Sequence, residues 1–450
     1  MPSVESELSH ALQGLPPGAT LVVGYSGGLD STVLLHALVK SGDADGQGRR
    51  VRALHVNHGL HEDAGAWQAH CEARCKALGV PFTALSADSK LLEVGMNGLE
   101  EKARDERYRL FAENLVEEEV LLLAHHLDDQ VETLLMRLAR GAGPTGLAAI
   151  PRVRSVGDNL LLRPLLSTHR IELGSYAKKH GLDWVEDPSN QDSGYDRNFL
   201  RNEIMPGLLS RWPAFTSNAA RSVELLAEAS ELLADYADCD LKACLGDEIA
   251  VLDCRAAAEW SSPRQRNLLR RWLNRLGLTV PGAIQLARLQ QLLADTEITD
   301  RSRLELRDCV VCRFGPLLVA LARGYDGFAG EDTATQWDTA ARATMTLPGN
   351  GVLCLDSHQG SGMKLPAGPL CVRYRRGGEQ FQLPGRPGRA LKKTLQESEI
   401  APWLRSRVPL VYADTRLVYV PGLGCAADAQ AAAGEPSVRI NWQPPRLFAG

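Results

Sequence analysis

The run Ser26-Gly27-Gly28-Leu29-Asp30-Ser31 joins a strand-like stretch, Thr20–Tyr25, to a helical one, Asp30–Lys40. Two adjacent glycines let the backbone curl until successive amides point into one concavity, and the positive end of the following helix adds to them. Such a pocket suits a polyphosphate. The two serine hydroxyls can donate to the same oxygens, and Asp30 can reach a Mg²⁺ or orient the pocket. The run is not a Walker A loop, which needs Gly-Lys-Ser/Thr after its second glycine, nor the G-x-G-x-x-G dinucleotide fingerprint.

A second constellation, His125-His126-Leu127-Asp128-Asp129-Gln130-Val131-Glu132-Thr133, opens another helical stretch. Helical spacing puts Asp129, Glu132 and Thr133 on one face. A nucleophilic amine needs a carboxylate to hold its ammonium form and a base to take its proton, and Asp129 with Glu132 could supply both. The plainer alternative is that acids at a helix start merely complement its dipole. His55, His58, His61, His125 and His126 admit a mononuclear zinc site by count, although a neighbouring phosphate cradle also explains why imidazoles would gather there. Arg197 and Arg201, four apart, read by themselves as a surface basic pair.

The elements that must position these groups alternate strand and helix, which predicts an open, doubly wound parallel α/β sheet. Strands are expected at Thr20–Tyr25, Val51–Val56, Val80–Ser86, Val120–Ala124 and Asn159–Leu162. Helices are expected at Asp30–Lys40, Glu62–Leu78, Leu99–Val116, Asp128–Arg140 and Thr168–His180, with Gly79, Gly141 and Gly181 placed as left-handed caps. In such a sheet ligands bind outside the carboxyl ends of the strands. The glycine loop, His55-Val56-Asn57-His58 and the His-His-Leu-Asp-Asp segment all fall there.

A chain of 450 residues exceeds one core and divides. The expected segments are a catalytic domain over 1–215, a mainly helical one over 216–340 and a small α+β or β-rich one over 341–450. In the middle segment a long helix, Asn218–Tyr236, precedes an arginine-rich one, Pro263–Leu276, whose Leu268, Leu269, Trp272, Leu273 and Leu276 form an apolar stripe. The net charge is −5, yet Cys371–Leu410 carries nine Arg/Lys against three glutamates, and Ser261–Arg275 has five arginines and no acid. These clusters are footprints for a polyanion, with solvated surface charge as the alternative. Ten dispersed cysteines do not make a disulfide scaffold; Cys71/Cys75 and Cys309/Cys312 read as buried thiols. With no apolar leader and no ~20-residue apolar run, a cytoplasmic protein without membrane contact is expected.

Ser-Gly-Gly-x-Asp-Ser after a first strand resembles the PP-loop ATP pyrophosphatases, which cleave ATP to AMP and pyrophosphate by adenylating an oxygen. Further motifs are similar to the tRNA(Ile)-lysidine synthetase family, long form. They are Asn97-Gly98-Leu99-Glu100-Glu101-Lys102-Ala103-Arg104-Asp105-Glu106-Arg107-Tyr108, Arg163-Pro164-Leu165-Leu166, Glu186-Asp187-Pro188-Ser189-Asn190 and Tyr195-Asp196-Arg197-Asn198-Phe199-Leu200-Arg201. Gly377-Gly378-Glu379, Lys392-Lys393-Thr394-Leu395-Gln396-Glu397 and the run Pro402–Leu410 look like that family's carboxy-terminal tRNA-binding domain. The likeness is clearest over about 20–215 and 371–425.

The resemblance implies that ATP with Mg²⁺ adenylates the C2 oxygen of the wobble cytidine of tRNA(Ile) with a CAU anticodon. The ε-amine of free lysine then displaces AMP. It places Ser26, Gly27, Gly28, Leu29, Asp30, Ser31, His55 and His125 on the nucleotide, with Asp30 a possible Mg²⁺ ligand. Asp129 and Glu132 hold or deprotonate lysine, and Arg201 steadies the nucleotide. Arg104, Arg107, Arg197, Asn198, Arg270, Arg271, Arg375, Arg376, Lys392, Lys393, Arg405 and Arg407 are assigned to substrate. Two rivals are a tRNA 2-thiocytidine-type thiolase, disfavoured because Glu100–Tyr108 has no cysteine for a cluster, and a non-catalytic tRNA-binding protein, disfavoured by intact Ser26, Asp30, Asp129 and Glu132. Oligomeric state is open.

Overall fold

The computed structural model describes residues 3–448 except 43–47, 88–98, 247, 295–301, 326, 329, 331–333, 360–361, 399 and 433. Asn97 and Gly98 of the family-like helix lie outside the described residues. The chain divides into two compact units, Met1–Leu232 and Leu233–Gly450. No described helix is long and apolar enough to cross a membrane.

The first unit is built on a six-stranded sheet: β1 (Thr20–Gly24), β2 (Arg50–Asn57), β3 (Phe82–Ser86), β4 (Val120–Leu122), β5 (Val153–Val156) and β6 (Asn159–Leu162). The order is β3-β2-β1-β4-β6-β5. All pairings are parallel except β5 with β6, a hairpin turned at Gly157-Asp158 that the sequence pattern does not predict. The buried positions of the two central strands, Leu21–Val23 and Val120–Leu122, are apolar without alternation because both faces are covered. Leu21, Val23, Val120, Leu122 and Leu162 enter one core. Their neighbours Val22, Leu121 and Leu161 point to the opposite face and join Leu54, Phe111 and Leu115 in another.

Helix α1 (Val4–Leu12), also absent from the sequence expectations, buries Val4, Leu8 and Leu12 and is capped by the Ser3 hydroxyl. It is followed by α2 (Leu29–Gly42), α3 (Ala64–Ala77), α4 (Leu99–Asn114), α5 (Leu127–Ala139) and α6 (Arg170–Lys179), close to the expected spans. Gly79, Gly141 and Gly181 follow three of them at φ of 68°, 71° and 58°, the left-handed region only glycine enters freely. From β1 the chain steps outward through β2 to β3, then returns to β4 on the other side of β1. That reversal leaves a crevice at the carboxyl ends of β1 and β4.

A long helix, α7 (Phe215–Cys244), runs from the first unit into the second. The second unit adds α8 (Ser262–Arg275), α9 (Ala283–Ala294) and an antiparallel sheet of β7 (Val251–Asp253), β8 (Arg303–Glu305), β9 (Cys309–Phe314) and β10 (Leu317–Ala322). The expected stripe of α8 is its core face: Leu268, Leu269, Trp272 and Leu273 are fully buried. Cys309 lies in the same core, where burial pushes its thiol up to about 11. Beyond residue 334 the chain forms a five-stranded and a three-stranded sheet; Val352–Gln359, Leu410–Ala413 and Arg416–Val420 contain the strand-like runs Val352–Leu355, Leu410–Tyr412 and Leu417–Val420 of the sequence.

Candidate active site

The loop after β1 is held from several sides. Gly27 adopts φ of 84°, and a side chain there would bring its Cβ to 2.7 Å from Cys71 Sγ. The Ser26 and Ser31 hydroxyls lie 3.0 Å apart, Gly28 N donates to Ser26 Oγ at 3.3 Å, and Ser31 Oγ donates to the Gly28 carbonyl at 3.1 Å. Val185 N donates to the Gly27 carbonyl at 2.9 Å, fastening the segment before Glu186 to the loop. Helix α2 begins at Leu29 and points its free amides toward the same space. Asp30 Oδ1 is shielded from solvent and has no hydrogen-bond partner among the described residues. An orphaned carboxylate oxygen beside a phosphate cradle fits a Mg²⁺ ion, a hard cation that takes oxygen ligands.

Across the crevice, α5 gives Asp129 two tasks. Its Oδ2 accepts the His126 amide at 2.9 Å, closing the first turn, while Oδ1 accepts Arg197 Nη2 at 2.8 Å. Glu132, 2% exposed, accepts Arg197 Nε at 2.7 Å on one oxygen and Arg201 Nε at 2.7 Å on the other. Arg197 stands on the short helix Asp196–Phe199, and Arg201 on a π-helical turn, Leu200–Ile204, of the kind often found at functional sites. Four residues named from sequence thus form one buried ion cluster. Burial alone would raise the Asp129 carboxyl, but His126 and Arg197 beside it bring it down to about 2. Arg201 is held above the ordinary arginine range because its bond to Glu132 outweighs its burial.

His126, named from sequence only among possible metal ligands, is 1% exposed, with ring nitrogens 3.6 Å from Asp30, Asp128 and Asp129. Burial opposes its charge, but those carboxylates, Asp129 foremost, raise it to about 10. Its ring stands between the loop after β1 and α5. The doubled histidine was the only sequence signal for it. Beside Glu132 and Arg201 opens a cleft of about 300 Å³ whose other walls are Asp128, Arg170, Met205, Pro206 and Leu209.

The remaining histidines each have their own partner. His55 Nδ1 lies 2.9 Å from the Tyr25 carbonyl, which can only accept, so that nitrogen carries the hydrogen. Arg107 Nε donates to His58 at 3.4 Å, and Arg163 Nε donates to His125 Nδ1 at 3.3 Å. Arg104 and Arg107 are exposed on α4 near Tyr108, over whose ring Arg154 stacks at 4.2 Å. Arg163 escaped sequence reasoning as a site residue, although an arginine between the apolar β6 and Pro164-Leu165-Leu166 was a visible oddity.

Other assigned residues are less free. The Asn198 amide donates to the Ser189 and Asp192 carbonyls at 2.8 and 3.0 Å, so it shapes its own loop. In the second unit Arg270, Arg376, Lys392 and Lys393 are exposed and Arg375 is half-buried. Arg271 shares Asp238 with Arg275, at 2.7 and 2.9 Å. Arg405 is half-buried with Nε 3.0 Å from the Ile400 carbonyl. Arg407 needs correcting as a substrate contact. It is 6% exposed, donates to the Tyr325 and Gly349 carbonyls at 2.9 and 3.0 Å, and lies 4.2 Å from the Tyr325 ring. Its guanidinium is committed to the interior.

Comparison with known proteins bears on the whole chain. A PP-loop domain model matches residues 2–208, a TilS substrate binding domain model 252–316 and a TilS substrate C-terminal domain model 370–442. The chain is 41% identical over 462 residues to a tRNA(Ile)-lysidine synthase of Pseudomonas aeruginosa, covering 99% of this chain and 98% of that protein. It is 39% identical over 437 residues to one of Methylococcus capsulatus, covering 96% and 98%. A solved U34-tRNA thiolase from Methanococcus maripaludis, bearing a [4Fe-4S] cluster, aligns with 50% of this chain and 78% of that one at 18% identity and a TM-score of 0.42, a likeness too low to bear on chemistry. With matching domains in the same order and an ATP-type loop facing a buried acid cluster, this chain belongs to the tRNA(Ile)-lysidine synthase family.

Proposed function

We propose that the enzyme joins free lysine to C2 of the wobble cytidine of a tRNA(Ile) bearing a CAU anticodon, at the expense of ATP and with Mg²⁺. The cytidine C2 oxygen attacks the α-phosphorus and pyrophosphate leaves; the lysine ε-amine then attacks C2 and AMP leaves, taking that oxygen with it. The loop amides from Ser26 to Ser31 and the α2 terminus hold the phosphates, and Asp30 would hold a Mg²⁺, which would offset the phosphates' charge.

The observation that carries this reading is the pairing of Asp129 and Glu132 with two arginines across from the phosphate loop. Carboxylates that already bind guanidinium groups are equipped to bind an ammonium, and the cleft beside Glu132 offers Met205, Pro206 and Leu209 to a four-carbon stem. For lysine to enter, at least one arginine must yield its place, which suits Arg201 for the nucleotide. Exposed Arg270, Arg376, Lys392 and Lys393 would meet the tRNA backbone, with residues 216–340 and 341–450 as the two segments presenting them.

Incubation with labelled lysine, ATP and the CAU transcript tests the reading. Label should enter RNA, and pyrophosphate release should need the tRNA. Release without tRNA, and no label in RNA, would defeat it.

A further inference from the structure

We propose that Arg163 is a positioning residue whose guanidinium fixes His125 as the neutral imidazole with its hydrogen on Nε2, so that this ring meets the substrates as a hydrogen-bond donor and never as a base. The placing of substrate at this rim rests on the function proposed above; the state of the ring does not.

The argument starts from what each partner can do. A guanidinium has only donors, so a nitrogen that accepts from it must present a lone pair. Arg163 Nε donates to His125 Nδ1 at 3.3 Å, and the geometry is held from behind: Nη1 donates to the Pro151 carbonyl at 2.6 Å and Nη2 to the Tyr108 hydroxyl at 3.3 Å. Arg163 is 1% exposed, and among the described residues no carboxylate forms an ion pair with it. A buried cation compensated only by neutral oxygens is expensive, and a second positive charge on the adjoining ring would make it more so. The only sites left for His125 are a bare Nδ1 and a protonated Nε2.

The surroundings agree. The charged groups facing His125 are Asp129 on α5, Arg163 after β6, Arg197 on Asp196–Phe199 and Arg104 on α4. Burial acts most strongly against protonation, Asp129 favours it, and the three arginines oppose it, so the ring is pushed down to about 3. His55 at the same rim is the opposite tautomer, since its Nδ1 donates to the Tyr25 carbonyl. Two neutral rings therefore offer one donor and one acceptor. A neutral donor can follow an oxygen as negative charge develops on it without competing for the proton of the incoming amine.

The full-length protein labelled with ¹⁵N-histidine tests this, the His125 signals being identified by their loss in His125→Asn. In the unsubstituted protein Nδ1 should appear unprotonated and Nε2 protonated, unchanged between about pH 8 and pH 5 where a free imidazole titrates. In Arg163→Met, where Nδ1 no longer has its donor, the ring should mix tautomers and take up its proton at a higher pH than in the unsubstituted protein, while Arg163→Lys, still a donor, should restore one tautomer. The acid limb of the pH profile of tRNA-dependent pyrophosphate release should move to higher pH in the Met variant alone. A hydrogen on Nδ1 in the unsubstituted protein, titration of its ring in the window, or an unchanged ring in Arg163→Met overturns the proposal. If the Met variant does not fold, the unsubstituted spectrum decides. The expected spectrum without lysine transfer to RNA would count against the proposed function and leave the role of Arg163 standing.

Discussion

Glu132 in the first unit and Arg407 in the second are both buried charges, and they are satisfied in opposite ways. Glu132 is gripped by two guanidinium groups at 2.7 Å, whereas Arg407 is held by neutral oxygens, Asn350 among them at 3.2 Å, and by the rings of Tyr325 and Phe328 at 4.2 and 4.4 Å. An ion cluster can exchange one cation for another of the same charge. A cation wedged among carbonyls and aromatic rings has no such exchange open to it, and serves only to hold the chain around it. On the proposed function the difference separates a residue that exchanges ligands from one that fixes shape, although both read as charge in the sequence.

Substitution can break that contrast most visibly at the acids. Asp129→Asn or Glu132→Gln should reduce lysine incorporation by roughly a thousandfold or more, because each removes a charge that the proposed function assigns to binding or deprotonating the amine. Nucleotide affinity, measured by calorimetry, should change little; incorporation near the unsubstituted rate would remove both acids from the mechanism. Arg407→Ala should act in the other sense, lowering stability by about 2–4 kcal/mol through the absence of its charged hydrogen bonds and packing. Thermal unfolding should fall by several degrees. Lys392→Ala or Lys393→Ala should instead leave unfolding unchanged while weakening tRNA binding severalfold, with the salt slope falling by about one for each phosphate no longer neutralised. A destabilised Lys392 variant, or an Arg407 variant impaired only in RNA binding, would reverse the contrast.

Acid should expose the smallest effect. The Asp129 carboxyl is depressed to about 2 in the folded chain against ~3.9 unfolded. A depressed carboxyl stabilises above its unfolded value, and that contribution is lost as pH falls from about 4 toward 2. Urea midpoints measured over that interval should drop more for the unsubstituted chain than for Asp129→Asn. Parallel curves would mean that the cluster contributes nothing to folding.

The parallel sheet was legible because its central strands are buried on both faces and its helices end at glycines. The crevice followed from that sheet, since the reversal of strand order at β1 brings Ser26–Ser31 and His125–Glu132 together. Less legible was what each side chain would face there. Spacing showed Arg197 and Arg201 as a basic pair but could not show them closing on Asp129 and Glu132, which lie 65 or more residues away in sequence. Nor could it separate His126, set among three acids, from His125, set against an arginine, because two adjacent identical residues differ only in what surrounds them. Arg407 misled for a similar reason: a local surplus of arginine says nothing about which members are solvent-exposed, and its partners Tyr325 and Asn350 stand 82 and 57 positions upstream.

The tight approach of Gly27 to Cys71 makes a single sulfur atom the floor of the turn after β1. That thiol is fully buried and its ionisation is suppressed to about 12, so it is chemically quiet while the fold is closed. Its bulk, however, sets how deep the turn can sit. Any atom added to that sulfur, such as an oxygen or an alkyl group acquired while the chain breathes open, would push up from beneath the turn and tilt the amides off their target. On the proposed function, a residue with no part in the chemistry thereby sets the height at which the triphosphate is held.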